Sequence, residues 1–257
     1  MNFIEIIRAS IGLVALAMSF LTNAAPAMAA ETNVAVAANF TEAAKEIAAA
    51  FKGKTGNDAI LSFGSSGQFY TQITQDAPFQ VLLSADDERP KKLVDDGLAV
   101  SASRCTYAIG KLVLWSKVPA MVTGAKTLKT ATFSKLSIAT PTAAPYGAAA
   151  IETLKALKLY DALLPKIVQG NSIAQAFQFI DTGNAELGFV ALSQIIGNTS
   201  GSRWMVPQEL YTPIRQDAVL LKKGAGNPAA TGFLEFLKGP EARVIIEKYG
   251  YVIAAPG

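Results

Sequence analysis

Short apolar runs alternate with helical patterns along most of this chain, and that alternation limits the folds open to it. Val34 to Ala38 is apolar throughout and breaks at Asn39. FTEAAKEIAAAFKGKTG follows, and its apolar positions Phe40, Ala43, Ala44, Ile47, Ala48 and Phe51 recur at helical spacing. The pattern repeats as strand 59–63 with helix 66–74, then strand 79–83 with a helix over 90–96. A longer β-like run, Tyr107 to Ser116, interrupts it. Strand 136–139, helix 147–158, strand 166–169, helix 172–181, strand 186–190 and a helical stretch 191–196 resume it. A short strand at 204–207, a late strand at 216–221 and helices near 228–237 and 240–248 close the chain. Alternation of this kind predicts an α/β fold with mainly parallel strands. One interruption and one late return predict two lobes. Residues 30–108 with 216–257 form the first and 109–215 the second, joined by segments crossing near 105–110 and 210–217.

The first 29 residues stand apart. A short start carrying Arg8 precedes an apolar stretch from Ile11 to Leu21, then Pro26 and Ala27-Met28-Ala29. These are the n-region, h-region and A-x-A site of a secretory leader, too short and too soon broken for a membrane span. The mature chain is expected to begin near Ala30 and to work in a bacterial periplasm.

Composition removes whole classes of chemistry. Among 257 residues there is no histidine and a single cysteine, Cys105. Histidine acid/base catalysis, Ser-His-Asp triads, His/Cys metal sites and an internal disulfide are therefore excluded. Cys105 opens an apolar run and reads as a small buried hydrophobe. The net charge of +3 is small, and no basic run marks a nucleic-acid surface. Asp86-Asp87-Glu88 lacks the alternating oxygens and glycine of a calcium loop and reads as a solvated helix start.

At four places an apolar strand ends in small or polar residues and opens a helix: Ala37-Ala38-Asn39-Phe40, Gly64-Ser65-Ser66-Gly67, Pro145-Tyr146-Gly147 and Gly170-Asn171-Ser172-Ile173. Each leaves unpaired N–H groups at the positive end of a helix dipole. Singly, each is explained by an N-cap, with Asn39, Ser65 and Asn171 as cap residues. Together, at the carboxyl ends of strands in two facing lobes, they suit one small anion. No corner contains Lys or Arg. An anion held only by neutral donors must accept at every oxygen, so a ligand carrying its own proton is disfavoured by ~1–3 kcal/mol. No P-loop or G-x-G-x-x-G pattern is present. A hydrolase lacks paired acids at the corners, and no lysine stands three residues after Ser65 or Ser66.

VAVAANFTEAAKEIAAAF, LSFGSSGQFYTQI, LLSADDERPKKLVDDGL, LVLWS and the closing FLEFLKGPEARVIIEKYGY resemble the periplasmic molybdate-binding proteins of bacterial ABC transporters, over essentially all of 32–253. The resemblance implies a two-lobed type II periplasmic-binding-protein fold, each lobe a sheet flanked by helices. It implies capture of molybdate, and of tungstate, between the lobes by a monomer, without a cofactor. Delivery would be to a membrane permease with a cytoplasmic ATPase. The implied ligand residues are Asn39 and Ser66, each with a backbone N–H and a side-chain donor, Ile173 through its backbone N–H, and Tyr146 at the third corner. Molybdenum would be held only as its oxyanion. The best-known branch of the family has Ser in place of Asn39, a small residue in place of Tyr146 and Tyr in place of Ala191. The Tyr146 hydroxyl is expected to replace the one missing at Ala191. The alternatives are a sulfate-like oxyanion or ferric ion in the same fold, and more distantly a secreted hydrolase.

Overall fold

The computed structural model describes residues 29–253. The leader read over 1–29 lies, but for Ala29, outside the described residues. Among the described residues no helix is long and apolar enough to cross a membrane.

The strands form two five-stranded sheets. In the first, β1 (Glu31–Ala37) lies between β2 (Asp58–Gly64) and β3 (Val81–Leu83), all parallel, with helix α1 (Thr41–Thr55) between β1 and β2. Helix α2 (Ser66–Thr74) connects β2 to β3, and α3 (Glu88–Asp95) leads on to β4 (Cys105–Gly110) at the edge. The second sheet contains β5 (Leu112–Ser116), β6 (Leu136–Ala139), β7 (Ile167–Gly170), β8 (Leu187–Ala191) and β9 (Ser202–Met205), in the order β7-β6-β8-β5-β9. Helix α4 (Ala125–Thr130) precedes β6, α5 (Pro145–Ala156) and the short α6 (Tyr160–Leu163) precede β7, α7 (Ile173–Asp181) joins β7 to β8, and α8 (Leu192–Ile195) follows β8. Strand β10 (Ile214–Leu220) returns to the first sheet, antiparallel between β3 and β4. Helices α9 (Pro228–Lys238) and α10 (Pro240–Lys248) then pack on that sheet, where the ring of Phe233 meets Phe51 edge-on at 5.4 Å.

The apolar run 107–116 is two strands, not one. Residues up to Gly110 pair with β10 in the first sheet, and Leu112 onward pairs with β8 and β9 in the second. Buried β-like residues on both sides of Gly110-Lys111 hide the change of partner, with only the exposed Lys111 between them. Gly110 marks the passage: a Cβ there would meet the Tyr146 hydroxyl at 2.0 Å. The chain crosses back over 206–213. Helix α4, between the run 107–116 and strand 136–139, where the sequence suggests no element, is too short for periodicity to detect.

Parallel register sets the corners side by side. Ala37 pairs with Gly64, so the first two corners are neighbours in one sheet. Ala139 pairs with Gly170, which does the same for the other two.

Candidate functional site

Asn39, Ser66, Tyr146 and Ile173 line one small cavity between the two sheets, with Ala85 and Pro145 beside them. All four are shut off from solvent, at 4%, 1%, 1% and 4% exposure. Among the described residues no lysine, arginine or carboxylate lines the cavity. Ser66 and Ile173 are the first residues of α2 and α7, and Tyr146 is the second of α5, behind Pro145. Their N–H groups have no acceptor within their own helices. No turn or capping bond among the described residues uses them, or the N–H of Asn39.

The two adjacent serines divide the work. Ser65 caps α2: its Oγ accepts from the Gln68 N–H at 3.3 Å while the Ser65 N–H donates to Gln68 Oε1 at 3.1 Å. That is a reciprocal capping box. The Ser66 Oγ accepts from the Ala85 N–H at 2.9 Å, which ties α2 to the end of β3 and leaves the hydroxyl proton to donate.

Asn39 departs from expectation. Its Nδ2 donates to Gln216 Oε1 at 2.9 Å and to the Tyr251 hydroxyl at 3.0 Å. Its side chain is therefore committed to the scaffold, and what it offers the cavity is a backbone N–H. Asn39 is not a helix cap either: it sits within a 3₁₀ turn over 38–40 that leads into α1. At the fourth corner the cap is Ser172 rather than Asn171, accepting from the Gln175 N–H at 3.3 Å. The Asn171 N–H is taken by Gln175 Oε1 at 2.6 Å.

Tyr146 also points its polar end elsewhere than expected. Its hydroxyl accepts from Gln216 Nε2 at 3.2 Å and lies over Gly110. It belongs to the crossing between the sheets, and the corner itself offers the Tyr146 N–H. Gln216 is the centre of this buried group: its Oε1 also accepts from the Tyr107 hydroxyl at 3.1 Å. Burial raises the pKa values of Tyr107, Tyr146 and Tyr251, so all three stay neutral phenols. Nothing in the sequence singles out Gln216, which stands between Arg215 and Asp217 in β10; only the structure shows that it is wholly buried. A buried carboxamide implies a partner set.

Bonds between the lobes close over the cavity. The Gly67 N–H donates to the Ala143 carbonyl at 2.9 Å, Arg89 Nη2 to the Thr142 carbonyl at 2.8 Å, and Ser193 Oγ to the Asn39 carbonyl at 2.8 Å. A wider groove of about 320 Å³ adjoins the site at Ala85 and Pro145, but it is lined by charges of both signs, including Asp86, Arg89, Glu152 and Arg215. The acidic run at 86–88 caps α3, where Asp86 accepts from the Arg89 N–H at 2.9 Å and pairs with its guanidinium. Cys105 is half-buried, and burial pushes its thiol pKa up, away from reactivity.

The sequence matches a bacterial extracellular solute-binding protein family over residues 32–252. It is 57% identical to the molybdate-binding protein ModA of Rhodobacter capsulatus, across 98% of both chains. It is 55% identical to the molybdate-binding protein ModA of Azotobacter vinelandii, across 89% of this chain and 92% of that one. The solved periplasmic molybdate-binding protein of Azotobacter vinelandii superposes with a TM-score of 0.84 at 41% identity, over 87% of this chain and 100% of that chain. With the family matched across both sheets and more than half its residues shared with such a relative, the chain belongs to the bacterial extracellular solute-binding proteins, in the group of the ModA proteins.

Proposed function

We propose that this protein captures molybdate, and with it tungstate, between its two lobes and hands it to the membrane permease of an ABC importer driven by a cytoplasmic ATPase. The observation that carries the reading is that four residues whose backbone N–H groups have no partner among the described residues, Ser66 with its hydroxyl among them, line one uncharged, solvent-shielded cavity. Relatives bearing the molybdate-binding name support the choice of anion. The work is binding and transport, without catalysis, and molybdate is cargo rather than cofactor.

Asn39 N–H, Ser66 N–H and Ser66 Oγ–H form the first lobe's half-site, and Tyr146 N–H and Ile173 N–H the second's. A tetrahedral dianion docks on one half and closure brings the other half onto its remaining oxygens. Selection acts through size and through protonation, because none of these groups accepts a proton from the ligand. The lobes turn about the crossings at Lys111 and 206–213, so the first lobe runs to Gly110 and resumes at Ile214, rather than ending at 108 and resuming at 216, and the second lies between the crossings. The protein acts as a monomer in the periplasm, to which the leader over 1–29 directs it.

Calorimetric titration of the mature protein with molybdate, tungstate, sulfate and phosphate tests this. Tight binding of the first two alone is expected. Equal binding of sulfate would overturn the specificity, and no binding of any of the four would overturn the site.

A further inference from the structure

At Gly67 the two lobes meet backbone to backbone. A Cβ at this position would lie 2.8 Å from the Ala143 Cα and 3.0 Å from its carbonyl oxygen. The Gly67 N–H donates to that same carbonyl at 2.9 Å. One residue away, Arg89 reaches from the first turn of α3 to the carbonyl of Thr142 at 2.8 Å, its guanidinium steadied by the Asp86 carboxylate.

The segment they grip is stiff. Residues 140–144 form a tight turn in which the N–H groups of Ala143 and Ala144 donate to the Thr140 carbonyl at 3.1 and 2.9 Å. Thr140 in turn is fastened to the Gly170 carbonyl by its N–H at 2.8 Å and its Oγ at 3.1 Å. Gly170 opens the corner that ends at Ile173, and Ala144 immediately precedes the helix that carries Tyr146. Fixing the carbonyls of 142 and 143 therefore fixes both of the second lobe's corners at once.

We propose that Gly67 and Arg89 form a closure latch, two positioning residues that seat the 140–144 turn on the first lobe and so hold the Tyr146 and Ile173 N–H groups over the anion. The inference rests on the reading of the cavity as an oxyanion site. Gly67 is a latch because it lacks a side chain. It lies in the first turn of α2 with helical backbone, where alanine suits the isolated lobe better than glycine does. Gly67→Ala thus separates closure from folding.

The test compares wild type, Gly67→Ala and Arg89→Ala as full mature chains. It reads molybdate affinity by calorimetry, ligand-induced compaction by small-angle scattering, and the melting temperature of the ligand-free protein. Gly67→Ala is expected to melt at or above the wild-type temperature, to bind molybdate at least about tenfold more weakly, and to compact less on binding. Arg89→Ala is expected to weaken binding by a few fold through faster release. Wild-type affinity and compaction in Gly67→Ala would overturn the latch while leaving the anion site standing. A Gly67→Ala protein that loses ligand-free stability together with affinity would assign Gly67 to the fold and overturn the latch as well. Failure of the wild type itself to bind any oxyanion would remove the reading beneath it, and the latch with it.

Discussion

Gln216 and Tyr146 meet where the chain passes between its two sheets, the carboxamide donating to the phenol oxygen at 3.2 Å. The same carboxamide accepts from Asn39 at 2.9 Å. One buried side chain on β10 thus touches a corner residue of each lobe. Gln216→Leu keeps the volume but leaves one Asn39 amide proton without its acceptor, while Asn39 keeps its bond to Tyr251 and Tyr107 keeps the Ser84 carbonyl. A stability loss of about 1–3 kcal/mol is expected. Urea unfolding measures it, and a midpoint equal to wild type would remove Gln216 from its central place.

Ser65 and Ser66 should respond differently to the same substitution. Ser65→Ala loses a helix cap and is expected to cost about 1 kcal/mol of stability with little change in affinity. Ser66→Ala removes the hydroxyl proposed to donate to the anion and is expected to weaken binding by ~1–3 kcal/mol. Parallel calorimetry and thermal melts check the pair, and interchanged effects would reverse the assignment.

Gly110→Ala places a methyl group against the Tyr146 hydroxyl, at a position where only 2.0 Å is available. Marked destabilisation is expected, of about 1–3 kcal/mol. Because the obstacle is the hydroxyl itself, Tyr146→Phe should recover part of the loss. A double-mutant cycle detects this as coupling, and strict additivity would count against the contact.

Affinity should be flat between about pH 6 and pH 9, since no group lining the cavity titrates there and the buried phenols are raised above their ordinary range. A titration series across that window checks it. A step near neutrality would reveal a charged contact that this geometry does not contain.

Glu186 predicts the pH response of the fold. Partial burial acts to raise its pKa, but the N–H groups of Ser134 and Lys135, each at 2.9 Å, outweigh this and hold it below the ordinary carboxylate value. A depressed folded pKa gives stability that is present above the unfolded value and lost as pH falls through the folded one. Glu186→Gln should therefore lower stability at neutral pH and flatten its decline below about pH 4.5. Denaturation curves at both pH values measure this, and parallel pH profiles for the two proteins would contradict it.

Much of the architecture was legible because periodicity reports which faces are buried. The α/β alternation and the four strand-to-helix corners follow directly from it. What periodicity cannot report is the partner a buried strand takes, and so 107–116 read as one strand although it serves two sheets. The site shows the same division. Ser66 and Ile173 were placed at corners by local chemistry, and the structure puts their N–H groups there. The side chains of Asn39 and Tyr146 were aimed at the cavity from sequence, whereas both serve Gln216, which lies 177 and 70 residues away along the chain. No local pattern encodes bonds of that span.

The uncharged lining of the cavity has a consequence for the molecule as a whole. Nothing in the wall neutralises the anion, and no proton need be taken up when it arrives. A loaded molecule therefore differs from an unloaded one by the entire charge of its cargo, a difference visible to an ion-exchange column, a native gel or the electric field of a waiting partner.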